Sequence, residues 1–331
     1  MRGYIESIGL IDTQALVVGA KKGFSDELAV GEGWYRADVR VGIVVTIGTG
    51  SGAIAEGELL FIKNVTLKTD RGEYICNLPG RALYKIAHVK AGSAPDKDAI
   101  AAASATYYVN LPIYFAEHER LGFPRPEDTI LDTKRHNSLT LEVQCGTVAD
   151  LFTTVGTSSV TVTLDVDVVR TKGPLPTDKA GNQLARPLGF TYYDVRPPVD
   201  ASTTVQILLE RAADLLVKRY YLFSVTSGTA GVPFSGTPSN AIINKLSIKD
   251  QSGYVYKDRS FRMIQNDNKN YFGVESWPTG LIVIDFVQDR SHNSALITAG
   301  KSLIAANWTN QGSPGGGSLV SCVVEGIRRL L

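Results

Sequence analysis

Apolar and polar residues alternate along residues 62–75, IKNVTLKTDRGEYI, and the pattern returns at residues 243–256, INKLSIKDQSGYVY. Alternation with a period of two places the apolar side chains on one face of a β-strand. In each copy a glycine that follows a polar residue, Gly72 or Gly253, interrupts the alternation, as the turn of a hairpin does. Both stretches therefore predict a strand, a turn and a second strand.

A short segment with helical spacing follows each hairpin. Pro79 suits the first turn of the first helix, and Asp258 is placed to cap the N-terminus of the second. The order strand, turn, strand, helix thus occurs twice in a chain of 331 residues. A second echo, residues 281–290 against residues 111–120, comes later in the same order. These repeats predict a duplicated β domain.

Each half contains further runs that are typical of β-strands. They are residues 36–47, 105–116, 138–145 and 161–169 in the first half, and residues 190–195, 203–209, 219–225, 281–287, 302–308 and 319–327 in the second. With shorter apolar runs between them, each half holds about eight strands and one helix. The predicted fold class is all-β.

The composition changes at residues 171–188, which are rich in proline, glycine and charge and predict a linker. The predicted domains are therefore residues 32–170 and residues 189–331. Residues 1–31 differ from the first domain, because their apolar clusters are succeeded by two adjacent lysines. Two interpretations stay open for them: an arm that packs on a neighbouring molecule or a membrane surface, and a peripheral segment packed on its own domain.

Composition and charge narrow the class of protein. With 44% hydrophobic and 20% charged residues the chain is globular, and a net charge of +1 argues against a sequence-specific nucleic-acid binder. Residues 1–170 carry 17 basic and 21 acidic groups, whereas residues 171–331 carry 17 and 12. This difference in net charge suits a ring in which the first half of one copy docks against the second half of the next. The alternative is that the charges are scattered over the surface and solvated.

Cysteine usage and hydrophobic runs bear on the compartment. Cys76, Cys145 and Cys322 lie far apart, without metal-like spacing, and fit buried thiols of a protein assembled in a reducing compartment. No run reaches the ~18 apolar residues that a membrane-spanning helix needs, and no secretory signal region begins the chain. The sequence therefore predicts a chain that neither crosses a membrane nor enters a secretory route by itself.

Few residues suggest chemistry. The candidates for metal binding or proton transfer are the cluster Glu117, His118 and Glu119, and His136 near Asp128 and Asp132. The candidates for paired glycosidase carboxylates are Glu127 with Asp128, and Asp165 with Asp167. No histidine has the spacing of a zinc protease, and the second carboxylate pair alternates with valines, as the solvated face of a strand does. We predict no catalytic residue and no cofactor; bound metal stays open, since structural Ca²⁺ is possible but no loop has a strong calcium-binding spacing.

Two segments carry a resemblance to a known family: residues 122–132, GFPRPEDTILD, and residues 139–146, LTLEVQCG. The chain, with its two tandem β domains and flanking helices, resembles the double jelly-roll major capsid proteins. More narrowly, residues 35–170 resemble the coat proteins of tailless, membrane-containing icosahedral bacteriophages of the corticovirus type. The second half resembles them in architecture only.

The resemblance implies two tandem eight-stranded jelly rolls, each with a short flanking helix, and a structural role in the capsid of a virion. It implies a homotrimer whose six jelly rolls form a pseudo-hexagonal capsomer. The implied partners are neighbouring capsomers, vertex or penton proteins and an internal viral membrane, the last through residues 1–31. Synthesis and assembly would take place in the host cytoplasm.

Two other functions stay open. A carbohydrate-binding or hydrolytic β-sandwich, such as a phage receptor-binding protein, would show a groove with exposed tryptophan or tyrosine and convergent carboxylates. Trp34, Trp277 and Trp308 fall in separate segments, which counts against a single sugar platform. The other alternative is a minor vertex or spike protein of the same type of virus.

Overall fold

The chain divides into two units, each with its own β-sheets. A computed structural model describes residues 4–20, 23–28, 30–48, 52–123, 129–172, 188–195, 204–208, 215–228, 234–291, 294–297, 304–311 and 317–328. The first unit comprises residues 1–120 and 125–188, and the second comprises residues 121–124 and 189–331.

The first unit is built from two antiparallel sheets. Its strands are β1 (Tyr4–Leu16), β2 (Phe24–Leu28), β3 (Gly33–Thr46), β4 (Ile62–Thr69), β5 (Tyr74–Leu78), β6 (Ala105–Tyr114), β7 (Leu131–Asp132), β8 (Leu139–Cys145) and β9 (Ser159–Lys172). Its helices are α1 (Gly57–Phe61) and α2 (Gly80–Ala91). One sheet has the order β1-β9-β3-β6, with β7 added against β3, and the other has the order β2-β8-β4-β5.

The second unit also has two antiparallel sheets. Its strands are β10 (Leu188–Val195), β11 (Thr204–Leu208), β12 (Leu215–Thr226), β13 (Thr237–Pro238), β14 (Ile243–Asp250), β15 (Val255–Ser260), β16 (Leu281–Asp285), β17 (Leu296–Ile297), β18 (Ile304–Asn310) and β19 (Leu319–Arg328), and its helix is α3 (Phe261–Phe272). One sheet has the order β10-β19-β12, with β13, β16 and β17 paired to β12, and the other has the order β11-β18-β14-β15.

Both units share one topology. When each strand of the first unit is replaced by its counterpart, β1-β9-β3-β6 becomes β10-β19-β12-β16, and β2-β8-β4-β5 becomes β11-β18-β14-β15. Two four-stranded antiparallel sheets in this order form a jelly roll. The predicted all-β class, with two tandem eight-stranded jelly rolls and flanking helices, is confirmed.

The two hairpins predicted from alternation form β4-β5 and β14-β15. Both pairs contain a bulge at the same place, just before Lys68 and just before Lys249. Gly72 (φ 78°) and Gly253 (φ 83°) occupy the turns in the left-handed region. Glycine is favoured there because it has no Cβ to collide with the backbone. The duplication is thus visible in the strand register as well as in the strand order.

Helices α2 and α3 follow the hairpins and have 12 residues each. Each ends at a glycine with left-handed backbone, Gly92 or Gly273, which closes the last helical turn. Pro79 directly precedes α2 as its N-cap. The two helices therefore begin and end at equivalent positions of the repeat.

The predicted N-cap of α3, Asp258, is wrong. Strand β15 continues to Ser260, whose side chain accepts a hydrogen bond from the backbone N–H of Met263. Asp258 instead accepts a hydrogen bond from Lys245 on the neighbouring strand, at 2.9 Å. The strand continues to residue 260, four residues beyond the end of the alternating stretch 243–256, so serine, another residue favoured at N-caps, takes the role.

The second predicted echo, residues 111–120 against residues 281–290, falls on the equivalent strands β6 and β16, with the two ranges offset by one residue. Arg36 lies opposite Tyr114, and Arg219 lies opposite Asp285. Each arginine directly follows a bulge against the strand on its other side. Arg36 and Arg219 therefore occupy the same position of the repeat, whereas the sequence pattern matched residue 114 with residue 284.

The described part of residues 1–31 is built into the first unit. Strand β1 pairs with residues 162–172 of β9, and β2 pairs with β8. Of the two interpretations of this segment, packing on its own unit is the one seen for these strands. Strand β9 extends to Lys172 and β10 begins at Leu188, so residues 173–187 of the predicted linker lie outside the described residues.

The edge strand of one sheet in each unit is closed by the segment beside it. In the second unit the Asn268 side chain of α3 donates to Val283 O and accepts from Val283 N, both at 2.8 Å. In the first unit the backbone N–H of Asp98 donates to Tyr108 O at 2.8 Å. Covering an edge strand in this way protects it against pairing with strands of another chain.

Candidate functional site

The cluster Glu117, His118 and Glu119 lies just beyond β6. Glu117 is buried, and the ring of His118 lies edge-on to Tyr114 with 5.8 Å between the centroids. The backbone N–H of Arg120 donates to His118 Nδ1 at 3.3 Å. His118 Nδ1 is thus engaged in its own turn, and the side chain of Glu119 lies outside the described residues.

His136 pairs with a carboxylate that the sequence did not indicate. Its Nδ1 lies 3.5 Å from Asp70 Oδ1, whereas Asp132 pairs with Arg135 at 2.9 Å. The backbone N–H of Asn137 donates to Asp70, and this hydrogen bond lowers the pKa of the Asp70 carboxyl. The side chain of Asn137 and the ring of His136 lower that pKa further. The expected grouping with Asp132 is therefore wrong, because Asp132 caps the turn before His136. Asp128 lies outside the described residues.

The pair Asp165 and Asp167 lies along the solvated face of β9, as its alternation with valines predicted. Asp167 is exposed and Asp165 is half-buried. Asp165 accepts a hydrogen bond from the backbone N–H of Thr13 at 2.7 Å, and Asp167 lies opposite Asp38 of β3. Burial raises the pKa of Asp38, Arg36 opposes the rise, and the charge of Asp167 adds to it. The other candidate pair, Glu127 and Asp128, lies outside the described residues.

Among the described residues, no three histidine, cysteine, aspartate or glutamate side chains lie close enough together to hold a metal ion. In the described part of the chain, no helix is long and apolar enough to cross a membrane.

The tryptophans do not form an exposed platform. Trp34 and Trp308 are 2% and 1% exposed and belong to the cores of their units. Trp277 is half-buried, and its Nε1 donates to Leu281 O at 2.7 Å. The exposed tryptophan that a sugar-binding sandwich would present is therefore not among these three residues.

The three cysteines are buried free thiols, as the sequence predicted. Burial raises the pKa of Cys76 to about 12 and that of Cys145 to about 12. The thiolate, which is the reactive form, is therefore suppressed in the folded chain at neutral pH.

We expect a maleimide reagent at pH 8 to leave the native protein unlabelled and to label three thiols per chain after denaturation. The raised pKa values also mean that the folded state holds protons that the unfolded state releases. The free energy of unfolding should therefore fall as the pH rises from 9 towards 12. Mass spectrometry of labelled protein and urea denaturation at each pH test this; rapid labelling of native protein would contradict it.

The second unit contains a buried cluster of ionised side chains. Arg219 on β12 donates through Nε to Asp285 of β16 at 2.8 Å and through Nη1 to Glu325 of β19 at 3.2 Å. Tyr221 donates to Glu325 at 2.5 Å, and Lys218 Nζ lies 3.8 Å from the same carboxylate. The side chains of Lys218, Arg219, Asp285 and Glu325 are all 0% exposed.

This buried ionic cluster balances two cations against two carboxylates on three adjacent strands. Aromatic rings enclose it, since the Arg219 guanidinium lies 5.7 Å from the centroid of Phe272 and 5.9 Å from that of Phe123. Buried pairs of this kind cost desolvation, and breaking one strongly destabilises a fold. The cluster is shielded from solvent, and its ion pairs join β12, β16 and β19.

A second set of ion pairs surrounds α2 in the first unit. Arg81 donates to Glu56 at 2.6 Å, and Lys85 Nζ lies 3.6 Å from the same carboxylate. Lys97 donates to the buried Glu58 of α1 at 2.6 Å. Burial lowers the pKa of Lys85 to about 8, and the charge of Glu56 opposes that shift. The Glu56 pairs attach the segment before α1 to α2, and the Lys97 pair attaches α1 to the segment that follows α2.

Comparison with known proteins gives matches at the level of structure. No protein-family model and no curated protein sequence matches the chain. The crystal structure of the major capsid protein of STIV (Sulfolobus turreted icosahedral virus) matches with a TM-score of 0.72 at 12% identity, covering 98% of this chain and 97% of that chain. The chain has the double jelly-roll fold of viral major capsid proteins.

Two further double jelly-roll structures extend the comparison. The major capsid protein of bacteriophage PM2 matches with a TM-score of 0.67 at 12% identity, covering 99% of this chain and 98% of that chain. The Faustovirus major capsid protein matches with a TM-score of 0.59 at 9% identity, covering 99% and 91%. The similarity thus runs through both jelly rolls, and the resemblance inferred from residues 35–170 is confirmed for the fold.

Proposed function

We propose that the chain is a structural major capsid protein. The observation that carries this proposal is the double jelly roll itself, with one strand order and one hairpin register used twice. Two solved structures that share this fold over nearly their whole length are those of viral major capsid proteins. The role is mechanical, because the described candidate catalytic residues are engaged in turns, caps and strand faces.

We further propose that three copies associate into a pseudo-hexagonal capsomer. Two similar jelly rolls in each chain supply six similar wedges from three chains, and closed symmetry buries the lateral surfaces of all of them. The opposite charge imbalance of residues 1–170 and 171–331 favours contacts between unlike units of neighbouring copies. Capsomers of this kind would tile an icosahedral virion assembled in the host cytoplasm.

The proposed partners are neighbouring capsomers, vertex or penton proteins and an internal viral membrane. Within residues 1–31, Val17, directly after β1, is 63% exposed, which supports a contact of this segment outside its own unit. The net charge of +1 fits a shell that encloses a genome without sequence-specific nucleic-acid binding. The function as proposed involves no cofactor.

The solution mass of the purified protein tests this function. We expect light scattering to give three chains of 35.7 kDa each, and negative-stain images of the same peak to show a hexagonal outline. A monomer at micromolar concentration would refute the capsomer and would direct the next experiment to a glycan screen.

A further inference from the structure

Helices α2 and α3 occupy the same place in their units but differ in how their outer faces are covered. On α2, Arg81, Ala82, Lys85 and Val89 are 4%, 0%, 6% and 0% exposed. Helix α1 contacts α2, and Glu56 just before α1 accepts the hydrogen bond of Arg81. This face of α2 is therefore covered within its own unit.

The equivalent face of α3 is open. The same helical positions hold Arg262, Met263, Asn266 and Asn270, which are all exposed, and Met263 is 54% exposed. In the described part of the second unit, no helix precedes β14 at the place that α1 occupies before β4. Residues 227–242 contain no charged residue, so the segment equivalent to that of Glu56 has no carboxylate to offer.

Arg262 lies in the first turn of α3, where the helix dipole disfavours a positive charge. That turn contains no acidic residue, and within the described residues Arg262 forms no ion pair. On α2 the same unfavourable cation, Arg81, is compensated by Glu56 at 2.6 Å. An arginine beside an exposed methionine at this position therefore indicates a partner that brings a carboxylate and apolar surface from outside the chain.

We propose that the α3 face formed by Arg262, Met263, Asn266 and Asn270 is the contact surface for a second copy of this chain. The second copy presents a carboxylate-bearing surface of its first unit and covers α3 as Glu56 and α1 cover α2. Charge selects that unit, since residues 1–170 carry 21 acidic groups against 17 basic ones, and residues 171–331 carry 12 against 17. The inference rests on the proposed capsomer, in which this head-to-tail contact repeats around the ring.

A charge-reversal variant tests the contact. We expect Arg262→Glu to raise the protein concentration at which half of the trimer is dissociated by roughly tenfold or more. The reason is that the introduced glutamate would face a carboxylate of the partner copy, and like charges repel. The matched control is Lys249→Glu, the same change of charge at an exposed strand position of the same unit, which should shift the midpoint by about twofold or less. A folding defect is not expected from the test variant, since glutamate in the first turn of a helix is favoured by the dipole; circular dichroism verifies this.

Photo-cross-linking identifies the occupant. A cross-linking residue in place of Met263 should join two chains, with the partner peptide within residues 1–172, whereas the same residue in place of Ile297, which is 51% exposed, should not. If the wild type is a trimer but the Arg262→Glu midpoint is unchanged, or Met263 cross-links only within its own chain, the inference fails while the capsomer stands. A monomeric wild type would refute the capsomer and the contact together.

Discussion

Replacing Arg219 by methionine should lower the free energy of unfolding of the second unit by about 3 to 5 kcal/mol. The guanidinium is fully buried and hydrogen-bonded to both Asp285 and Glu325. Methionine fills a similar volume, but it removes the guanidinium that both carboxylates bind where water does not reach them. Lys218, 3.8 Å from Glu325, remains beside that carboxylate.

The matched control is Arg36→Met, at the same position of the repeat in the first unit. Arg36 pairs with Asp38 at 2.9 Å, but its side chain is 37% exposed, so we expect a loss of about 1 kcal/mol or less. Urea denaturation followed by tryptophan fluorescence reports on both units, through Trp34 in the first and Trp308 in the second. Equal small losses for the two variants would show that the cluster is not held by charge.

A charge-neutral variant separates charge from packing. Combining Arg219→Met with Asp285→Asn removes one cation and one carboxylate, nearly keeps the shape of the site and leaves Lys218 beside Glu325. We expect this double variant to recover most of the stability lost in Arg219→Met, because burying a neutral amide costs far less than burying a carboxylate whose cation has been removed. A double variant that is no more stable than the single one would assign the loss to packing instead.

The repeat was predictable because its signals are local. Alternation along residues 62–75 and 243–256 depends only on neighbours in sequence, and so do the turn glycines Gly72 and Gly253. Strand boundaries are less local, because the length of β15 depends on its pairing with β14. That is why Asp258 was predicted to cap α3, although the strand runs on and Ser260 takes the cap.

The buried ionic cluster could not be predicted as a cluster. Arg219 is 66 residues from Asp285 and 106 from Glu325, and only the sheet brings the three together. A partial signal exists, since each charge interrupts or ends an apolar run that a buried strand would keep uniform. Such a signal marks charges that need partners, but it does not say which residues pair.

Conversely, the candidate site residues were predicted from their types and separated by the fold. Histidine beside acidic residues suggested a cluster at His136, yet the strand-end turn directs Asp132 to Arg135 and brings His136 to Asp70. Asp70 lies in the turn of the β4-β5 hairpin, far from His136 in sequence. Residue type indicates which chemistry is available, whereas the strand register decides which groups meet.

Replacing Gly280 by alanine should destabilise the second unit by about 3 kcal/mol or more, from left-handed backbone strain and a backbone collision together. Gly280 has φ 74°, and a Cβ there would lie 2.4 Å from Ser224 O and 2.9 Å from Ser239 N. The residue is fixed in place, because its N–H donates to Asn240 Oδ1 at 2.7 Å and its carbonyl accepts from Ser224 N at 2.7 Å. A backbone shift large enough to remove the collision would break these two hydrogen bonds, which hold the chain just before β16.

Gly253→Ala is the control that isolates the collision. Gly253 has a similar φ of 83°, but no atom lies within 4 Å of the position of its Cβ, so we expect a loss of about 1 to 2 kcal/mol from backbone strain alone. Thermal and urea denaturation of both variants give the difference directly. If Gly280→Ala and Gly253→Ala lower the free energy of unfolding equally, β16 shifts to accommodate the methyl group and is not held by the backbone contacts of Gly280. If Gly280→Ala costs more, close backbone approach at the start of β16 restricts that position to glycine.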